Sequence, residues 1–132
     1  MTVDIINDSD VEVSAHLYNS DDGLRWSANW WGDLKAKGDS KKIDLSKYPS
    51  PTGRYHVLFT RKGFTPLTST VIDKLVGPEA FKQFGKSIDK KIALAAGEVA
   101  ENGWIRLEGS DPDFTSRNNE MYPATSTGYQ PG

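Results

Sequence analysis

From Val11 to Tyr18 the apolar side chains Val11, Val13, Ala15 and Leu17 alternate unbroken with Glu12, Ser14, His16 and Tyr18. An extended chain sends successive side chains to opposite faces, so this run predicts a strand with one buried side. Val3-Asp4-Ile5-Ile6 reads as a shorter strand before it, ended by the turn-forming Asn7-Asp8-Ser9-Asp10. The two are expected to form a β-hairpin across residues 7–10. Asn19-Ser20-Asp21-Asp22-Gly23 supplies the next turn, and the aromatic-rich stretch from Leu24 to Trp31, bounded by Gly32, reads as a third strand. Lys41 to Leu45 suggests a fourth, with Ile43 and Leu45 on one face. Tyr55, Val57 and Phe59 alternate with His56, Leu58 and Thr60 to predict a fifth, and the proline-rich turn at residues 48–53 separates the two.

Beyond Arg61-Lys62-Gly63 the period changes. Phe81, Phe84, Ile88, Ile92, Ala95 and Val99 recur at three- and four-residue steps, the apolar stripe of a helix. Pro78 suits its first turn, and Glu79 is the charge that the positive end of the helix dipole favours. The spacing predicts one main helix near residues 78–100, with Gly97 as a point of fraying, and a shorter turn at Val71–Val76. Gly103 to Leu107 reads as a last strand. Residues 109–132, rich in Ser, Thr, Asn, Pro and Gly, show no period in their apolar positions and read as an irregular or partly disordered tail.

The fold class expected is therefore α+β, dominated by β: an antiparallel β-sheet or β-sandwich core with a single helix. One globular domain is expected over residues 1–108, followed by the tail. A length of 132 residues suits one domain, and such a chain buries roughly two-thirds of its unfolded surface without a metal or disulfide. There is no cysteine, which excludes disulfides, thiol nucleophiles and thiolate metal sites. No secretory signal and no run of about 18 apolar residues is visible, so a soluble chain, cytoplasmic by default, is expected. Leaderless secretion or a mature secreted chain would look the same.

The net charge of −2 hides a segregation. Residues 1–34 carry seven acids and one base, residues 35–91 thirteen bases and five acids, and residues 92–132 six acids and two bases. Either these segments neutralise one another in the fold, or the basic one presents an anion-facing surface. Lys82, Lys86 and Lys90, four residues apart, read as a solvated helix face. With a pI near 5.6, nucleic acid is not an expected partner.

The densest feature is Leu24-Arg25-Trp26-Ser27-Ala28-Asn29-Trp30-Trp31. In an uninterrupted strand Trp26 and Trp30 share one parity and Trp31 opposes them, so one side of the cluster must lie at a surface or under other chain. Two readings stay open. In the first, the tryptophans fill the core. In the second, Trp26, Trp30 and Trp31 form an aromatic platform for a sugar ring or a choline-type cation, with Arg25 and Asn29 giving polar orientation. Over its six residues, Trp26–Trp31 resembles the tryptophan-rich phosphocholine-binding stretch of actinoporin-type β-sandwiches, and that likeness implies a lipid headgroup as ligand.

Other chemistry is thinner. Three acidic turns, at residues 7–10, 19–23 and 108–113, offer oxygen ligands, but none has the twelve-residue calcium loop with its closing Glu. His16 and His56 sit on the non-core parity of their strands, where they are expected to be neighbours on a solvent-facing surface. No nucleophile elbow, phosphate loop or dinucleotide fingerprint is present, and no cofactor or catalytic residue is assigned. The leading expectation is a non-catalytic binding module for a glycan or lipid headgroup. A protein-interaction or structural role, as a toxin component, immunity protein or assembly subunit, comes next, with the tryptophans as an interface hot spot. The third is a small enzyme or metal-binding protein using His16 and His56.

Overall fold

The structure, a computed structural model, describes residues 1–19, 25–51, 53–63, 70–71 and 93–119. Among the described residues nine strands build two sheets: β1 (Thr2–Ser9), β2 (Val13–Asn19), β3 (Arg25–Leu34), β4 (Asp39–Asp44), β5 (Arg54–Arg61), β6 (Thr70–Val71), β7 (Ala93–Ala100), β8 (Trp104–Ser110) and β9 (Asp113–Asn118). The first sheet runs β4-β1-β8-β9 and the second β6-β3-β2-β5-β7. All neighbours are antiparallel except β1 and β8, which run parallel.

Alternation explains how the sheets meet. Val3 and Ile5 of β1, Ile105 and Leu107 of β8 and Phe114 of β9 face Val13, Ala15 and Leu17 of β2, Tyr55, Val57 and Phe59 of β5, and Ala95 and Val99 of β7 in one buried cluster. Gly97 stands in this layer because the sheets approach closely there: a Cβ at residue 97 would lie 2.6 Å from Ile105 Cδ1. Side chains of β9 also close the corner between the sheets. Ser116 Oγ donates to the Ala96 carbonyl at 2.7 Å, and Asn118 Nδ2 donates to the Glu98 carbonyl. At the far end Arg61 makes a two-pronged pair with Asp111, at 2.9 and 3.0 Å.

The expected hairpin of β1 with β2 is not formed. The two strands lie in different sheets, because the residues expected to turn continue β1 and then carry the chain across the sandwich. Asn7 is why. Fully buried, its Nδ2 lies within hydrogen-bond reach of three carbonyls: Val11 at 2.8 Å, Lys35 at 3.0 Å and Leu34 at 3.2 Å. Its Oδ1 accepts from Ser9 N at 3.1 Å and Ser9 Oγ at 2.6 Å. Two crossings between the sheets, from β1 to β2 and from β3 to β4, therefore share one amide. Main-chain bonds from Lys37 N to Ser9 O and from Gly38 N to Asn7 O reinforce the second crossing.

Three other expectations are corrected. Residues 93–100, placed in the C-terminal part of the helix, form strand β7, and Val71, placed in the shorter turn expected at Val71–Val76, belongs to β6; residues 72–76 and 78–92, with the lysines at 82, 86 and 90, lie outside the described residues. Ala-Leu-Ala-Ala favours a helix intrinsically, but pairing with β5 on one edge and burial of both faces override that preference. Residues 109–118, placed in an irregular tail, complete β8 and form β9, which brings Phe114 into the core; residues 120–132 lie outside the description. The histidines, expected at solvent, are both buried. Among the described residues no helix is long and apolar enough to cross a membrane.

Candidate binding surface

The five-stranded sheet has a second face, opposite the shared core. Ser14, His16 and Tyr18 of β2, His56, Leu58 and Thr60 of β5, and Ala96 and Glu98 of β7 alternate with the core residues of their strands and are all buried. Both sides of these strands are buried, so the side chains that alternate with the core residues line a second buried face, largely of hydrogen-bonding groups, rather than a solvated one. Tyr18, His56 and Glu98 stand abreast on neighbouring strands, since Tyr18 pairs with His56 and His56 with Glu98. His16 Nε2 meets Thr60 Oγ1 at 2.8 Å. Loss of hydration holds the His16 imidazole down to about 4, against 6.5 when free, although Asp33 pulls the other way. It is neutral at physiological pH. Burial likewise raises Tyr18 well above the ordinary phenol range.

Beside this floor, at β3, the surface opens. Trp31 pairs with His16 across the strands and is 51% exposed. Its neighbour Trp30 pairs with Leu17, turns to the opposite side and packs half-buried against the core. The Trp30 ring lies over Gly32, where a Cβ would come within 2.8 Å of it, so a side chain at residue 32 would force the ring to shift. Two residues along from Trp31, exposed Asp33 accepts from Ser14 Oγ at 2.6 Å. Ser14 in turn accepts from Gly63 N at 3.1 Å. A solvent-facing indole and a positioned carboxylate thus share one face of a strand that the half-buried Trp30 ring anchors from behind.

The expected five-residue site is distributed differently. Trp30 and Trp31 serve opposite faces. Asn29, half-buried, is the extra residue of a β-bulge: Trp30 opposes Leu17 but Ala28 opposes Tyr18. The alternation counted from Trp30 therefore does not run through to Trp26, whose backbone, with that of Arg25, pairs to β6. The side chains of Arg25 and Trp26 lie outside the description. Asp33 and Ser14 were missed by the sequence reasoning, although Asp33 follows Trp31 at the two-residue step that shares a face. Glu98 was missed because it was assigned to a helix.

His16 and His56 do share a face, one strand apart and offset by two residues, but it is a buried face. Among the described residues no group of three or more His, Asp or Glu side chains is placed to hold a metal ion. Of the acidic turns, the first spends Asn7 on backbone carbonyls and the last pairs Asp111 with Arg61, which holds that carboxyl below the usual range. Residues 20–23 of the second lie outside the description. The chain matches no protein-family model, no curated protein and no solved structure.

Proposed function

We propose that this protein is a non-catalytic binding module whose ligand, a glycan or a lipid headgroup, packs on Trp31. One observation carries the reading: a half-exposed indole on a pinned strand, with the Asp33 carboxylate two residues along on the same face. An indole face attracts the C–H face of a sugar ring, and it attracts a quaternary ammonium through its quadrupole. A carboxylate complements either, accepting from hydroxyls or balancing the cation. Trp30 acts as the half-buried support and Asn29 as a polar group at the bulge.

Tryptophan fluorescence of the intact chain, titrated with neutral oligosaccharides and separately with phosphatidylcholine vesicles, tests this. A saturable change with one of the two, abolished in Trp31→Ala, is the expected result and identifies the ligand class. No response to either, or a response that survives Trp31→Ala, refutes it. The same exposed tryptophan also supports a second reading, a protein-interface hot spot. A sedimentation coefficient that rises with concentration in the wild type and not in Trp31→Ala would favour that reading.

A further inference from the structure

The outward face of the four-stranded sheet, on the far side of the sandwich from Trp31, holds a cluster that the reading above leaves unused. Arg106 of β8 and Arg117 of β9 stand directly opposite each other. Two cations in that position repel, unless an anion lies between them. Glu108 answers in part, at 3.6 Å from Arg106 and 3.4 Å from Arg117. Both separations exceed the ordinary length of a charge-assisted hydrogen bond, so one carboxylate leaves guanidinium donors unspent. The Arg106 guanidinium also lies over the Trp104 ring, 4.9 Å from its centroid. Stacking engages the flat of a guanidinium and leaves its N–H edge for an oxyanion.

The surroundings restrict the ligand further. Asp4 pairs with Trp104, Ile6 with Arg106 and Asp8 with Glu108 along the parallel β1–β8 register. Thr115 opposes Glu108, and Lys42 lies 3.9 Å from Asp4. Acids flanking the arginines repel an extended polyanion, such as a nucleic acid or an anionic membrane, and Ile6 is the sole aliphatic side chain that β1 and β8 turn to this face. Carboxylates and a threonine around one oxyanion site instead suit a molecule rich in hydroxyl donors that carries isolated charges. We propose that this face is a second binding site, for an acidic saccharide whose carboxylate or sulfate is held by Arg106 and Arg117 while its hydroxyls donate to Asp4 and Asp8.

The test is calorimetric titration of the full-length chain with an oligogalacturonate and with a sulfated oligosaccharide, at low salt, against a neutral oligosaccharide and inorganic sulfate. Binding of at least one acidic oligosaccharide is expected, weakened at least about tenfold in an R106Q/R117Q double variant. Glu108→Gln, which removes the competing carboxylate, should tighten it several-fold. Trp31→Ala should leave it unchanged, so this site and the Trp31 site can fail independently. Circular dichroism guards against misfolding, and the gain expected of Glu108→Gln is a change that damage to the fold does not mimic. The proposal is overturned by no binding of either acidic oligosaccharide, by equal binding of the neutral one to the Trp31→Ala chain, by inorganic sulfate binding as tightly as the saccharides, or by affinity indifferent to the arginine and Glu108 substitutions.

Discussion

Replacing Asn7 tests how the sandwich is joined. In Asn7→Ala the amide that links both crossings disappears. The Val11 carbonyl keeps Ser9 Oγ at 3.2 Å, and the Lys35 carbonyl belongs to an exposed residue that water can reach. The Leu34 carbonyl and the Ser9 N–H, both in buried bonds, lose their partner. Each buried polar group left unpaired costs about 1–3 kcal/mol, so a loss of roughly 2–6 kcal/mol is expected, a large share of the stability of a small domain. Asn7→Asp sharpens the argument. It keeps the shape and the acceptor for Ser9, but puts a carboxylate oxygen where an NH₂ group faced three carbonyls. It should destabilise at least as much as alanine at pH 7. Urea unfolding followed by far-ultraviolet circular dichroism gives both values, provided the m-value is unchanged. An Asn7→Asp chain within about 0.5 kcal/mol of wild type, the ordinary range for surface changes, would refute the assignment of Asn7 as the shared anchor.

Other expectations follow from packing and protonation. Gly97→Ala should destabilise by about 1–3 kcal/mol, because its Cβ meets Ile105; were residues 93–100 helical, the same change would stabilise by about 1 kcal/mol, and denaturant titration reads the sign. His16, held near 4 in the fold against 6.5 when free, takes up a proton more readily in the unfolded chain. Its contribution is complete above about pH 6.5 and is lost as pH falls toward 4, by at most about 3 kcal/mol. Unfolding midpoints in His16→Gln should fall less over that interval than those of wild type; equal slopes would contradict the buried neutral imidazole. Trp30→Ala should cost about 2–4 kcal/mol, whereas Trp31→Ala, at a half-exposed position, should cost distinctly less, as parallel thermal melts would show.

Where one face of a strand met the core and the other met polar surroundings, the sequence was legible. The cores of β2 and β5 could be read directly from Val13, Ala15, Leu17, Tyr55, Val57 and Phe59. The same alternation misled for His16 and His56, because a polar residue on the non-core parity can be buried on a second face as readily as solvated. Strand β7 was hidden by its own small residues: alanines on both faces, and a glycine required by the approach of Ile105, carry no two-residue period. Strand β9 was hidden because one of its inward residues, Ser116, is polar and earns its place through a bond to the Ala96 carbonyl. Asn7 looked like a turn former for the same reason, its side chain bonding main-chain groups, here across two crossings.

At the candidate site the sequence marked the segment that carries the exposed Trp31 but not how its side chains divide between the two faces. Strand parity separates Trp30 from Trp31, and that much was readable. The bulge at Asn29 was not, since nothing local in Ser27-Ala28-Asn29 demands an extra residue; it arises from how β3 pairs with β2. Asp33 became part of the surface through Ser14, a partner nineteen residues away.

Placement of the ligand on Trp31 is tested most directly by the indole N–H resonances of the four tryptophans, assigned by single substitution and followed during titration with neutral oligosaccharides and with phosphocholine. The Trp31 resonance should shift and saturate with one of these probes while that of Trp30, turned to the core, stays nearly fixed. An unmoved Trp31 resonance under both probes, or a shift confined to Trp104, would contradict the proposed site.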